Sequence, residues 1–456
     1  MALSRPVPRA ARLRVPRPVS RTCYNWFGAP AAELLHRLSQ ESVLNFSCSR
    51  RDLNEAVQTV ARAAATQASL PILNHILLSI GDGRLHLTAT NQELYSRTSV
   101  AISSAAPLER GASTDGIAVH ARTFGEILAS LPDGDLEFQT AHPDDLLSGR
   151  AIVVRQGDIK FSLRGLPPEE FPGMPVVHAP GDDTPGVRID QKTLRRLLRQ
   201  TLFATSPDQT RVQYTGVLFD REGSTLRLVS TDGVVRVAVS SASLAPESVI
   251  PESGGLSDGT SRESEKSREP EKAINAIVPA RAVQELGRIL RPESDDPVEL
   301  RFRSDFAGPT LASFEANGIL LVTRLIEGQF VNWRRVIPAG WDERATIKSS
   351  DLLGALKRMA IVAADDQNRV QIALSGDALQ LTAASTQLGD ATEKISALLE
   401  GGEMLIALQG RFLAEGIGVL DEEGCRIELT TSLSPCVVKP LDGDSFLYVQ
   451  SPMHPR

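Results

Sequence analysis

The sequence predicts an α+β fold made of three tandem copies of one domain, each with two helices packed on antiparallel sheets. Three observations predict it. One pattern is written three times, as "VHARTFGEILASL" (119–131), "VPARAVQELGRIL" (278–290) and "LQGRFLAEGIGVL" (408–420), with arginine fixed at Arg122, Arg281 and Arg411 and apolar positions at helical spacing. Each copy also opens alike, a short strand running into an amphipathic helix, in "NFSCSRRDLNEAVQTVARAA" (45–64), "VRIDQKTLRRLLRQTLFAT" (187–205) and "TIKSSDLLGALKRMAIVAA" (346–364). A strand of alternating polarity then follows a tight turn in "GDGRLHLTATN" (81–91), "EGSTLRLVSTD" (222–232) and "SGDALQLTAAS" (375–385). Alternation at period two marks half-buried antiparallel strands.

The spacing of the repeat sets the expected domains. Arg281 and Arg411 lie 130 positions apart, but Arg122 and Arg281 lie 159 apart. The excess corresponds to "PESGGLSDGTSRESEKSREPEK" (251–272), which has almost no apolar residue and is expected to be a solvated, disordered insert. Two further echoes support the period: "SLRGLPPEEF" (162–171) with "VTRLIEGQF" (322–330), and "TRVQYTG" (210–216) with "NRVQIAL" (368–374). The expected domains are 44–180, 186–340 with its insert at about 250–273, and 343–456. Residues 1–43 stand apart: "MALSRPVPRAARLRVPRPVSR" holds six arginines, no acid, and prolines that forbid a continuous helix. This leader is expected to be a disordered basic arm, a transit peptide, or upstream sequence from a misassigned start.

Composition narrows the class. Of 456 residues, 41% are hydrophobic and 23% charged, and no apolar run approaches the ~20 residues that span a bilayer. The four cysteines, Cys23, Cys48, Cys425 and Cys436, show no CxxC spacing, which argues against a zinc or disulfide framework and fits a reducing cytoplasm. A net charge of −7 does not advertise a nucleic-acid binder, but an average hides faces. In the second copy Leu194, Leu197, Leu198 and Leu202 form a core stripe, with Lys192, Arg195, Arg196 and Arg199 opposite. Arg281, Arg288 and Arg291 repeat the arrangement. The first copy adds Arg51, Arg62 and Arg122, and the third Lys357 and Arg358. Such basic faces in an acidic protein suit a phosphate backbone, and no helix-turn-helix, zinc finger or aromatic platform accompanies them to read bases.

No catalytic pattern is found. GxxxxGKS and HExxH are missing, and no histidine pairs with a carboxylate at metal-ligand spacing. His120 lies in the repeated pattern, but its counterparts are Pro279 and Gln409, so it is not a repeated ligand. The pairs Asp144/Asp145, Asp182/Asp183 and Asp365/Asp366 sit among turn residues, where solvated carboxylates are the default. The expectation is a binding protein without cofactor or metal.

Three two-helix α+β domains with basic helix faces and no catalytic centre describe a ring around DNA. The chain resembles the bacterial DNA polymerase III beta subunits, the sliding clamps, from about Asn45 to Met453. The landmarks are "LPILNHILL" (70–78), "FSLRGLPPEEFP" (161–172), "TRVQYTGVLF" (210–219), "STDG" (230–233), "EGQFVNWRRVIP" (327–338) and "YVQSPM" (448–453), in family order and spacing. The resemblance implies a cytoplasmic, nucleoid-associated head-to-tail homodimer that encircles duplex DNA without sequence preference. It implies as partners the polymerase III alpha subunit, a clamp loader, and other clamp-binding replication and repair proteins. It further implies an apolar peptide pocket between the second and third domains. Carried over by position, that pocket comprises Arg211, Tyr214, Thr231, Gly233, Val234, Val235, Arg236, Val237, Val331, Arg335 and Val336, completed by Gln409, Phe412, Leu433, Val449, Ser451, Pro452 and Met453.

Departures from the family pattern fall within this set. "VVRV" follows "TDG" where an aromatic or His and then Arg-Leu are common, and Val331 replaces the usual Pro. Gln409, Phe412 and Ser451 replace Asn, Tyr and Met. Apolar character mostly survives. The altered pocket and the insert favour one alternative, a clamp-fold paralogue acting as a repair or protein scaffold without replicative loading. The acid pairs alone favour another, a metal-dependent nuclease or phosphatase.

Overall fold

Amphipathic stripes form the helices, and a polar side chain caps the start of three of them. The computed structural model describes residues 45–67, 69–104, 116–140, 151–178, 186–245, 248–250, 273–305 and 308–454; the basic leader and the Ser/Glu-rich insert lie outside them. Six α-helices occur among the described residues: α1 (Arg50–Val60), α2 (Ala121–Ser130), α3 (Gln191–Leu202), α4 (Ala280–Ile289), α5 (Ser349–Ala363) and α6 (Gly410–Ile417). Ser49 accepts from the Asp52 amide to start α1, and Asp190 accepts from the Thr193 amide at 2.6 Å to start α3. Each such cap is worth about 1 kcal/mol. His120 caps α2 through Nδ1, which accepts from the Thr123 amide.

The helices pack in pairs, α1 on α2, α3 on α4 and α5 on α6, one pair in each copy. Leu194 and Leu197 are fully buried and Leu198 is 3% exposed, so the leucine stripe of α3 faces the core. Burial of each such side chain contributes roughly 1.5–3 kcal/mol. Phe46 stacks on Phe138 in the first copy, and Phe219, Phe302 and Phe314 cluster in the second. In the third, Tyr448 and Phe446 lie wholly inside. The α+β class and the threefold repetition are those the sequence predicts.

The sheets, however, are not small and separate. An edge strand exposes unpaired amides and carbonyls, and pairing with a neighbour satisfies them. Leu94–Ala101 of the first copy pairs antiparallel with Ile319–Arg324 of the second, and Arg236–Ser243 of the second pairs with Phe446–Gln450 of the third. Among the described residues these two seams fuse the strands into one fourteen-stranded and one nine-stranded sheet, leaving a four-stranded sheet within the third copy. One sequence echo also proves positional rather than structural. "TRVQYTG" forms a 3-10 turn, Gln209–Tyr214, ahead of a strand, whereas "NRVQIAL" lies almost wholly in the strand Arg369–Ser375.

Candidate functional site

A pocket of about 640 Å³ opens at one end of the second seam. Its floor comes from Val237 and Val449, which face each other across the two strands and are 7% and 3% exposed. One wall is the turn that follows Thr231. There the Asp232 Oδ1 accepts from the amides of Val234, Val235 and Arg236 at 3.0, 2.8 and 3.1 Å, and Thr231 Oγ1 accepts from the Gly233 amide at 2.9 Å. Asp and Thr are the residue types that fold a turn back on its own backbone. Glycine is strongly favoured at 233: its φ is +76°, and a Cβ would sit 2.4 Å from the Tyr214 ring.

The opposite wall is the linker between the second and third copies. Val331, Arg335 and Val336 line the pocket, Val336 being 39% exposed, while Trp333 beside them is buried. The linker continues as Ile337, Pro338, Ala339, Gly340, Trp341 and Asp342, which also line it, as do Thr430, Ser434 and Pro435. Sequence reasoning missed these nine. The continuation "IPAGWD" was the available signal, an apolar stretch directly downstream of residues already assigned to the wall. Trp341 is held by Arg344, whose guanidinium carbon lies 3.8 Å from the ring centroid.

Of the eighteen residues assigned from sequence, the structure gathers Thr231, Gly233, Val234, Val235, Arg236, Val237, Val331, Arg335, Val336, Val449 and Ser451 around the pocket. The other seven stand outside the lining. Tyr214 backs the turn, packed edge-on against Phe330 with centroids 6.0 Å apart. Phe412 lies under the Arg236 guanidinium at 4.3 Å, and Gln409 accepts through its carbonyl from Gln450 Nε2 at 3.0 Å. Arg211 and Leu433 are exposed. Pro452 and Met453 run past the pocket rather than into it, and the Met453 amide donates to the Ala407 carbonyl at 2.8 Å. The Ser451 amide donates to the Val235 carbonyl at 2.7 Å, so the tail braces the turn. The segment from Phe446 to Gln450 is a strand inside the nine-stranded sheet, not a detachable wall.

The helix arginines divide into two kinds. Some hold the fold: Arg195 donates to the Gly287 and Leu290 carbonyls, both at 2.9 Å, closing the end of α4. Arg281 donates to the Arg62 carbonyl at 3.1 Å across the first seam, and Arg199 pairs with Asp421 across the second. Arg196 is half-buried against Gln200 and the Ser241 carbonyl, and burial lowers its pKa. Arg288 pairs with the buried Glu285 and Arg358 with the half-buried Glu393, while others sit in exposed pairs, Arg122 with Glu126 and Lys192 with Glu293. Such pairs are worth little and exchange readily with another anion. Arg51, Arg62, Arg291 and Lys357 are exposed with no ion pair among the described residues. The uncommitted positive stripe expected on α3 is therefore largely spoken for, because arginine reaches far enough to cap and clasp neighbouring elements.

Of the three acid pairs, one lies among the described residues. Asp365 accepts from Ser385, Asp366 pairs with Arg369, and the other two pairs lie outside the described residues. Among the described residues no group of three or more His, Cys, Asp or Glu could hold a metal ion, and no helix is long and apolar enough to cross a membrane.

Known proteins match along nearly the whole chain. Family profiles described as DNA polymerase III beta subunit match in succession, the N-terminal domain at 44–175, the central domain at 188–252 and the C-terminal domain at 334–454. A beta sliding clamp of Salmonella typhimurium is 29% identical over 411 residues, covering 90% of this chain and all of that one. One from Halalkalibacterium halodurans is 27% identical, covering 90% and 99%. Among solved structures, a sliding clamp from Pseudomonas aeruginosa bound to griselimycin gives a TM-score of 0.75 at 27% identity, covering 90% and 99%. The Bacillus subtilis clamp, 22% identical, shares the fold with a TM-score of 0.77 over 91% of this chain and all of that one.

Proposed function

The chain belongs to the bacterial DNA polymerase III beta-subunit family, the sliding clamps of replication, and from that premise we propose that two copies close head to tail around duplex DNA and tether a polymerase through the pocket between the second and third repeats. The observation that carries the ring is the repetition of the seam. One side of each seam is the third strand after an opening helix, Leu94–Ala101 or Arg236–Ser243; among the described residues the counterpart in the third copy, Gly389–Ser396, ends its sheet with one edge open. The other side is the last strand of a copy, Ile319–Arg324 or Phe446–Gln450. Among the described residues its counterpart in the first copy, Ile159–Leu166, pairs over residues 159–164 with Ala151–Gln156 alone. A second chain joining those two edges would repeat the seam twice more. Ile159 and Leu388 beside them are 39% and 64% exposed, as expected of residues that a neighbour covers.

In this reading the domains are 44–180, 186–340 and 343–456, and the chain is a non-catalytic subunit working in the cytoplasm at the nucleoid. A clamp loader opens the ring, and the polymerase III alpha subunit and other replication and repair proteins take turns at the pocket. A short peptide burying two or three apolar side chains gains ~1.5–3 kcal/mol from each, against the cost of ordering it. Micromolar affinity, about −8 kcal/mol, is the natural result and permits exchange.

The test of the ring is retention. Loaded protein should stay on nicked circular DNA and run off the linearised form; equal loss from both would sink the proposal. The test of the pocket is titration with a peptide from the cognate alpha subunit. Val336→Asp, which puts an unpaired charge on an apolar wall, should abolish binding in a chain that still folds.

A further inference from the structure

The two seams are the same construction, yet their pockets differ. At the first seam Thr90 faces Tyr95, and Tyr95 faces Val322; at the second Thr231 faces Val237, and Val237 faces Val449. The turns match as well. Asn91 Oδ1 accepts from the Glu93 and Leu94 amides as Asp232 Oδ1 does from those after it, and Gln92 has a φ of +74° where Gly233 has +76°. Both linkers run on from a phenylalanine, Phe171 or Phe330, and the sixth residue on is a valine, Val177 or Val336. Tyr95 therefore occupies the place of Val237, and Val177 that of Val336.

What fills that place is different. Tyr95, Val177 and Val322 form a closed cluster in which they are 7%, 3% and 2% exposed. At the second seam a valine stands where the tyrosine would be, Val336 is left 39% exposed, and a cavity of about 640 Å³ lies open. Resting on the reading of that cavity as the partner dock, we propose that the side chain at the Tyr95/Val237 position determines which seam accepts a partner. Tyr95 seals the first, and the small Val237 keeps the second free for the polymerase peptide. Each chain then offers one dock because its own tyrosine supplies, at the first seam, the bulk that a peptide supplies at the second.

The test is a size series at Val237, titrated with the alpha-subunit peptide. If added bulk fills the dock, affinity should fall in the order Val, Leu, Phe, Tyr, by roughly ten- to a hundredfold overall, the range that overpacking a closed site gives. A peptide seated by apolar attraction alone would bind the larger, more hydrophobic side chains as well or better, and that result would overturn the proposal. Circular dichroism should show the fold kept across the series, since tyrosine is native at the matching place of the first seam. If Val237→Tyr fails to fold, Val237→Leu and Val237→Ala still decide the sign. Failure of the dock itself looks different: the unsubstituted protein would bind no peptide, or Val336→Asp would leave binding unchanged. With the dock intact, a full-affinity Val237→Phe would refute the role of size alone.

Discussion

The Arg236 guanidinium donates to the Glu415 carboxylate at 2.5 Å, and that bond ties a strand of the second repeat to helix α6 of the third. Arg236 is 9% exposed, lies over the Phe412 ring, and has Asp232 within 3.4 Å, while the other Glu415 oxygen meets Arg411 at 3.1 Å. A buried cation of this kind is costly to leave without its partner. Glu415→Gln should therefore lower stability by about 1–3 kcal/mol in urea unfolding, since an acceptor remains but the charge does not. The paired substitution Arg236→Met with Glu415→Met should recover most of the loss. No change in the single variant would show that Asp232 alone satisfies Arg236.

Gly233→Ala tests the turn. The substitution forces a Cβ into the left-handed region and against the Tyr214 ring, at a cost of about 1–3 kcal/mol. Peptide affinity should fall with stability, because the same turn forms the pocket wall. Adding Tyr214→Ala should relieve the clash but not the backbone strain, so a double-mutant cycle should show partial rescue.

Truncation separates the tail from the strand before it. Removing residues 451–456 takes away the Ser451 and Met453 backbone braces but leaves the strand Phe446–Gln450 whole, so the chain should fold and bind peptide more weakly. Removing residues 449–456 cuts into a strand paired on both sides and deletes the buried Val449 and Gln450. That variant should lose the cooperative unfolding of the third repeat, measured by calorimetry. A fully folded 449–456 deletion would refute the structural role of this strand.

The two kinds of arginine make separable predictions. Arg51→Glu, Arg62→Glu and Lys357→Glu should leave the unfolding midpoint nearly unchanged while weakening direct DNA binding. The salt slope should drop by about 0.9 log units for each phosphate that is no longer neutralised. Arg195→Glu and Arg281→Glu should instead lower stability, because carbonyls at the end of α4 and beside Arg62 lose their donors. Equal effects of both sets on the unfolding midpoint would refute the division.

Three thiols report on packing. Burial pushes Cys48 and Cys436 up to about 12 and Cys425 up to about 11, with Asp135 and Asp52 adding to the shift at Cys48. At pH 8 a thiol with a pKa near 12 is ionised in roughly one molecule in ten thousand. Iodoacetamide should therefore leave all three unmodified in the folded chain and alkylate them readily in urea, as site-resolved mass spectrometry would show. Rapid labelling of Cys436 in native buffer would mean that the third repeat opens locally.

Much of this architecture was legible in the residues. The three arginine-marked helices, their leucine stripes and the alternating strands follow from periodicity, which depends only on neighbours in sequence. The pocket was legible in part, since "STDG" and "NWRRV" sit at positions the family resemblance supplies. What sequence could not supply was the partner of each long side chain. Arg195, Arg199 and Arg281 look on a helical wheel like free surface charge, but each reaches an acceptor tens or hundreds of residues away. The fusion of sheets was hidden for the same reason, because an edge strand reads no differently from an interior one. The extent of the linker wall, down to Trp341, depended on where the chain turns after Pro338.

The two seams also decide how the molecule carries mechanical load. Any change in curvature of the three-repeat chain must strain a ladder of main-chain hydrogen bonds, four residue pairs at the first seam and five at the second. The clasps Arg281–Arg62 and Arg199–Asp421 act alongside them, so rungs and clasps resist together. Both internal joints are therefore stiffened in the same way, by a backbone ladder with a side-chain clasp beside it. In the proposed ring the joints between molecules would repeat the ladder without the linker that ties neighbouring repeats of one chain together. An opening force applied anywhere on the rim would be transmitted to those joints and released there, leaving the pocket beside the second seam undistorted while the ring parts.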